Sequence, residues 1–158
     1  MKRMILVAFC AVFNLFSEEV HGFEGKHFVA SYLGCDAEAL GNVEEMIRAM
    51  DVAVEASGAT ILDKTSYTFP PNGLTIVYLL SESHASLHTY PEFNACFVDL
   101  FTCGDHCTPQ GFDAALRDYL KPKEVNLRLF GRHQGIDEMV YDSQFAQYIE
   151  RDCASFPH

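Results

Sequence analysis

The sequence predicts an α+β fold, a two-layer α/β sandwich whose mainly antiparallel sheet carries its helices packed on one face. Three observations lead there. Strand-like runs and turn residues alternate from Phe28 to Phe130, only two segments carry helical spacing, and the 158-residue chain is 49% hydrophobic. A single domain of that length can bury roughly two-thirds of its unfolded surface, so a core forms without cross-links.

In chain order, Phe28 to Leu33 reads as a strand. Asn42-Val43-Glu44-Glu45 has the form of a capping box, in which Asn42 accepts a backbone N–H and Glu45 reaches back. Val43, Met46, Ile47, Met50 and Val54 then share one helical face, and Gly58 supplies the stop. Thr60 to Phe69 is a strand, Pro70-Pro71-Asn72-Gly73 a turn, and Leu74 to Leu80 a continuous apolar run suited to a buried strand. Asn94 to Phe101 makes another apolar strand. Phe112, Ala115, Leu116 and Leu120 form the second helical face, and Val125 to Phe130 alternates like a half-exposed strand. Beyond Gly131 the pattern weakens into a polar tail with a marginal helix around Gln144 to Glu150. The expected organisation is a folded domain over residues 23–131 and a C-terminal tail over 132–158.

Residues 1–22 stand apart. Met1-Lys2-Arg3 is basic, Met4 to Phe16 is nearly all apolar, and Ser17 to Gly22 turns polar. This resembles a secretory signal peptide, although Asn14 interrupts the run and Glu18 and Glu19 sit where small residues are wanted. The alternative is a plain N-terminal extension. The run is too short to span a bilayer as a stable helix.

Charge narrows the partners. Eleven Lys and Arg against 22 Asp and Glu give a formal net charge of −11. With no basic block, the chain lacks the electrostatic footprint of a nucleic-acid or anionic-membrane binder. Its six cysteines include no C-x-x-C pair, so no disulfide framework is expected. Cys103 and Cys107 flank His106, but no second ligand pair follows at a zinc-like distance. No metal is expected.

The unusual stretch is Ser81-Glu82-Ser83-His84, followed by His88-Thr89-Tyr90-Pro91-Glu92, directly after a buried strand. Thr102-Cys103-Gly104-Asp105 follows the next apolar strand in the same way. Reactive side chains at the ends of buried strands are held on rigid supports. Taken singly, each has a plainer explanation: Ser83 as a turn cap, His88 as a strand histidine, Cys103 as a small buried hydrophobe. A serine hydrolase is disfavoured, because no Gly-x-Ser-x-Gly elbow surrounds Ser83.

Together these motifs, with Gly25-Lys26-His27, Gly34-Cys35-Asp36, Ser57-Gly58-Ala59-Thr60 and Phe69-Pro70, resemble the prokaryotic-type S-adenosylmethionine decarboxylase proenzymes. The resemblance covers some two-thirds of the chain. It implies that the chain cuts itself between Glu82 and Ser83 and converts Ser83 into a pyruvoyl group, the cofactor that binds the substrate amine as a Schiff base. By the same resemblance His88 handles protons in processing, and Thr75 stands where the family has a second processing serine. Cys103 is the family's proton donor to the decarboxylated substrate. A thiol suits that task because its pKa lies near the operating pH. Phe69 matches an aromatic that stacks on the adenine, and Glu92 an acid that binds the ribose. Tyr90 departs from the family's usual Trp.

The function so implied is pyruvoyl-dependent decarboxylation of S-adenosylmethionine, the small-molecule substrate, supplying the aminopropyl donor for spermidine synthesis. The family's cytoplasmic setting and its homodimer of processed pairs, with active sites near the interface, are implied with it. Two alternatives stand beside this reading: the same chemistry on arginine or ornithine, and a secreted binding module that kept the fold without activity. Retention of Ser83, His88 and Cys103 together argues against the second.

Overall fold

The computed structural model describes the backbone of residues 24–142 and 147–150 and the side chains of residues 24–137. The signal-peptide reading of residues 1–22 lies outside them. Eight strands build one sheet: β1 (Gly25–Leu33), β2 (Ile61–Phe69), β3 (Gly73–Leu80), β4 (Ser83–Tyr90), β5 (Ala95–Thr102), β6 (Glu124–Arg132), β7 (Ile136–Asp142) and β8 (Gln147–Glu150). Their spatial order is β2-β3-β4-β5-β1-β6-β7-β8, with every neighbouring pair antiparallel. Among the described residues there are three α-helices, α1 (Ala37–Gly41), α2 (Val43–Ala56) and α3 (Pro109–Leu120). The predicted α+β sandwich is what forms.

Side chains alternate between the two faces of a strand, and among the described residues helices cover only one face. Phe28, Ala30 and Tyr32 of β1, Leu74, Ile76 and Tyr78 of β3, and Cys96, Val98 and Leu100 of β5 are buried against Met46, Met50 and Val54 of α2 and Phe112 and Leu116 of α3. The opposite face carries no helix among the described residues. This corrects the reading of Leu74 to Leu80 as a strand apolar on both sides for burial: Val77 and Leu79 face outward and are exposed.

Asn42 caps α2 as expected, its side chain accepting from the Glu45 N–H at 3.2 Å. The capping box is only half made. Glu45 turns to the Arg48 guanidinium one turn on and does not reach back. Gly58, at φ +86°, takes the left-handed conformation that ends the helix. Gly111 serves packing: a Cβ there would lie 2.0 Å from the Ala56 carbonyl oxygen, so only glycine lets α3 cross the end of α2 this closely. Tyr32 donates to Asp113 at 2.6 Å in the core, and Arg117 holds the other carboxylate oxygen at 2.8 Å. Burial, with the Asp113 charge beside it, pushes the Tyr32 phenol far above its ordinary range.

Four elements differ from expectation. The short helix α1 was not predicted; its signal is Asp36, which accepts from the N–H groups of Glu38 and Ala39 at 2.9 Å each. The polar stretch from Ser83 to Tyr90 is itself a central strand, because its odd-numbered residues Ala85, Leu87 and Thr89 are small or apolar enough to enter the core. Past Gly131 the sheet continues through β7 and β8, and Gln147–Glu150 is a strand where a marginal helix was expected. Pairing to β7 satisfies the backbone groups along one side of it, whereas a single short helix without caps would leave most of its own open. Among the described residues no helix is long and apolar enough to cross a membrane.

Candidate active site

Ser83 opens β4, paired in register with Thr102, the last residue of β5. Glu82 and Cys103 therefore meet in the two loops that leave this edge. The Cys103 N–H donates to the Glu82 carbonyl at 3.0 Å. The Glu82 side chain is buried, accepting from the Thr60 N–H at 2.9 Å and lying 3.8 Å from His106 Nε2. Glu82 is thus held at both its main chain and its side chain. Ser83 follows with φ +154°, a backbone conformation that favours glycine. Its hydroxyl lies 3.0 Å from His84 Nδ1. Thr102 Oγ1, beside Ser83 in the ladder, is buried without a hydrogen-bond partner.

His88 stands near the far end of β4, in register with Thr75 of β3 and Phe97 of β5. Its Nδ1 is hydrogen-bonded to the Thr75 hydroxyl. Phe69 and Tyr90 flank the imidazole, with ring centroids 5.7 and 4.5 Å away. Tyr67 packs edge-on to Phe69 at 4.8 Å. Glu92 lies just beyond, in the exposed 3-10 turn Pro91–Phe93.

The structure therefore gathers the sequence-predicted residues into two groups. Glu82, Ser83 and Cys103 sit at one end of β4, and Thr75, His88, Phe69 and Glu92 at the other. Ser83 and His88 are five positions apart on an unbroken strand, about 17 Å at about 3.4 Å per residue. No side chain closes that gap.

The uncovered face carries the exposed His84 beside Ser83 at one end and His88 at the other. Between them it presents Tyr67, Phe69, Val77, Leu79 and Phe97, each 41–63% exposed. A hollow of about 510 Å³ crosses the same face, lined by Ser31, Phe97, Asp99, Asn126 and Arg128 among others. Near Ser83 the face is polar and aromatic. His27, His84 and Phe101 cluster with ring centroids 5.4 to 6.4 Å apart, His27 Nε2 lies 3.6 Å from Asp99, and Arg132 lies 4.3 Å from the Phe101 ring centre. Partial burial holds the His27 imidazole below its ordinary pKa despite the Asp99 charge, with Arg132 and His84 acting in the same direction as burial.

Sequence reasoning assigned no role to His27, His84 or Asp99. The signal was present in Gly25-Lys26-His27 and Glu82-Ser83-His84, but face and register decide that these side chains share one surface. The cysteine–histidine grouping also differs from the sequence pattern. Donor atoms of Glu82, His106 and Cys107, not Cys103, lie within 4.8 Å of one another. Burial and the Glu82 charge push the Cys107 thiol up. With Glu82 already bonded to Thr60, the arrangement acts as a clamp on Glu82.

Fold and site define the class: a single-sheet α+β enzyme with a serine, Ser83, and a thiol, Cys103, side by side where two adjacent strands end. Comparison with known proteins narrows this. The family profile described as S-adenosylmethionine decarboxylase matches residues 26–133. The S-adenosylmethionine decarboxylase proenzyme of Methanococcus aeolicus is 38% identical over 103 residues, covering 65% of this chain and 88% of that protein. The proenzyme of Parasynechococcus marenigrum is 40% identical over 108 residues, 68% of this chain and 84% of that protein. The crystal structure of adenosylmethionine decarboxylase from Aquifex aeolicus superposes with a TM-score of 0.64 at 33% identity, covering 69% of this chain and 90% of that one. The chain belongs to the S-adenosylmethionine decarboxylase family.

Proposed function

We propose that this chain is a self-cleaving decarboxylase of S-adenosylmethionine, cut between Glu82 and Ser83. The single observation that carries the reading is the Glu82–Ser83 peptide itself. Its carbonyl already accepts the Cys103 N–H at 3.0 Å, the place where negative charge develops when the Ser83 hydroxyl attacks. The residue on its other side is held at φ +154°, which raises the energy of the uncut chain. Cutting releases that strain.

The pyruvoyl group made from Ser83 would supply the electron sink for loss of carbon dioxide. The surroundings of position 83 fit such a group. The orphaned Thr102 hydroxyl is a donor available to a carbonyl formed there, and Cys103 follows in the next position. In this reading Cys103 returns the proton to the substrate α-carbon, Phe69 stacks on the adenine and Glu92 binds the ribose. The relatives named above are S-adenosylmethionine decarboxylases, which favours that substrate over arginine or ornithine. The cytoplasm, where that substrate is made, is the compartment the reading entails.

The 17 Å gap gives the proposal its second part: the working unit is a homodimer of processed pairs, with each site assembled from two copies. An isologous pairing of two uncovered faces sets the Ser83 end of one copy against the His88 end of the other. The exposed apolar residues between the ends supply the contact. His88 of one copy, oriented by Thr75, then removes the Ser83 α-proton of its partner and drives loss of the Glu82 carboxylate.

Intact-mass measurement tests the cutting. The wild-type chain should appear as two fragments divided at 82/83, the second with a carbonyl in place of its amine, and Ser83→Ala as one. Carbon dioxide release from labelled S-adenosylmethionine, but not from arginine or ornithine, tests the substrate. A wild-type chain that stays whole would refute the reading.

A further inference from the structure

We propose that His84 is the base that activates the Ser83 hydroxyl for self-cleavage; this rests on the processing reading above. In a regular strand successive side chains point to opposite faces, so Ser83 and His84 should diverge. They do not. Ser83 Oγ lies 3.0 Å from His84 Nδ1, within range for proton transfer. The positive φ at Ser83 is the feature that sets this residue apart from the rest of β4, and it accounts for the hydroxyl turning toward the imidazole. The backbone strain therefore has a second use, beyond raising the energy of the peptide bond.

The step balances. Nδ1 of the neutral imidazole takes the hydroxyl proton as Ser83 Oγ bonds to the Glu82 carbonyl carbon. The carbonyl π electrons move onto its oxygen, which the Cys103 N–H holds. Collapse re-forms the carbonyl and breaks the bond to the Ser83 nitrogen, which takes the electron pair and the proton from His84. The product is an ester with a free Ser83 amine, and the imidazole is restored. His88 cannot do this within the same copy, because it stands five positions away and faces Thr75.

His84 is exposed on the uncovered face, so its replacement leaves the core intact. The groups that face it are Ser83 on its own strand, Leu79 of β3, Phe101 and Asp99 of β5, His27 of β1, and Arg132 of β6 beyond Phe101. The test follows freshly translated full-length chain by intact mass, with and without brief treatment with neutral hydroxylamine, which severs esters; cleavage at the labile Asn72-Gly73 bond gives fragments of other masses and is told apart by them. His84→Ala should lengthen the half-time of cutting about 100-fold or more, and added imidazole should restore part of the rate. No hydroxylamine-sensitive ester should build up in it. His88→Ala, blocked after the acyl shift, should accumulate that ester. His84→Gln serves as a second variant, and both should melt near the wild-type temperature.

Wild-type cutting rates in the two variants would overturn the inference. So would ester accumulation in His84→Ala, or a slow rate that added imidazole does not raise. A wild-type chain that never cuts refutes the processing reading itself, and the role of His84 with it.

Discussion

Two inactive variants, mixed, should rescue one another. Ser83→Ala lacks the residue to be cut, and His88→Ala lacks the base from the far end of the sheet. Within one copy the two positions are separated by five strand residues, about 17 Å, against a reach of about 3 Å for proton transfer. A site served by one copy would need the strand to buckle. Two copies joined by their uncovered faces need no such change. In a heterodimer, the Ser83 end of the His88→Ala chain meets an intact His88 from the Ser83→Ala chain, and the reciprocal site lacks both. If dimers form at random from equal amounts, about half the His88→Ala chains have such a partner. That half should be cut, and no Ser83→Ala chain should be. Tagging the two variants differently and co-expressing them lets intact mass count the products. Neither variant alone should cut, and decarboxylase activity should appear only in the mixture. Zero cutting of His88→Ala in verified heterodimers, or full cutting of it alone, would show that the site does not borrow His88 across the interface.

Other perturbations probe separate parts of the argument. Cys103→Ala keeps the backbone N–H that holds the Glu82 carbonyl, so the chain should still divide at 82/83. Turnover should fall by about 100-fold or more with the proton donor gone; carbon dioxide release from the processed variant reads this. Gly111→Ala drives a methyl to within 2.0 Å of the Ala56 carbonyl and should destabilise the fold by about 3 kcal/mol, read from urea unfolding. His27 is held below its ordinary pKa when folded, so the unfolded chain binds its proton more readily. Its contribution to stability is therefore present above about pH 6.5 and is lost as pH falls below that value. His27→Gln should flatten that part of the stability–pH curve, and proton NMR should show His27 titrating at lower pH than a free histidine.

The legible part of the fold was the part with period. The helical spacing of Met46, Met50 and Val54, the Asn42 cap and the Gly58 stop marked α2 within a residue or two. Strand runs from Phe28 and Asn94 were equally plain. What escaped were elements too short or too polar for period to register. In α1 a five-residue helix is marked only by its Asp36 cap, and in β4 the polar residues dominate although alternate positions reach the core. Leu74 to Leu80 misled for the opposite reason. Apolar residues on both faces look like full burial, whereas Val77 and Leu79 face outward on the side the helices leave uncovered.

The candidate site residues were readable as motifs because each motif is local: Glu82-Ser83-His84 and Thr102-Cys103-Gly104 carry their chemical types in consecutive order. Their grouping was not. Residue order along a chain places His88 close after Ser83, but an extended strand turns five residues into about 17 Å. Motif thus determined the family, and the resemblance pointed to the bond proposed to break. Only the tertiary structure decided that Glu82, Ser83 and Cys103 stand together while Thr75, His88 and Phe69 stand apart, because strand pairing sets which side chains meet and covering one face of the sheet sets which remain open to another molecule.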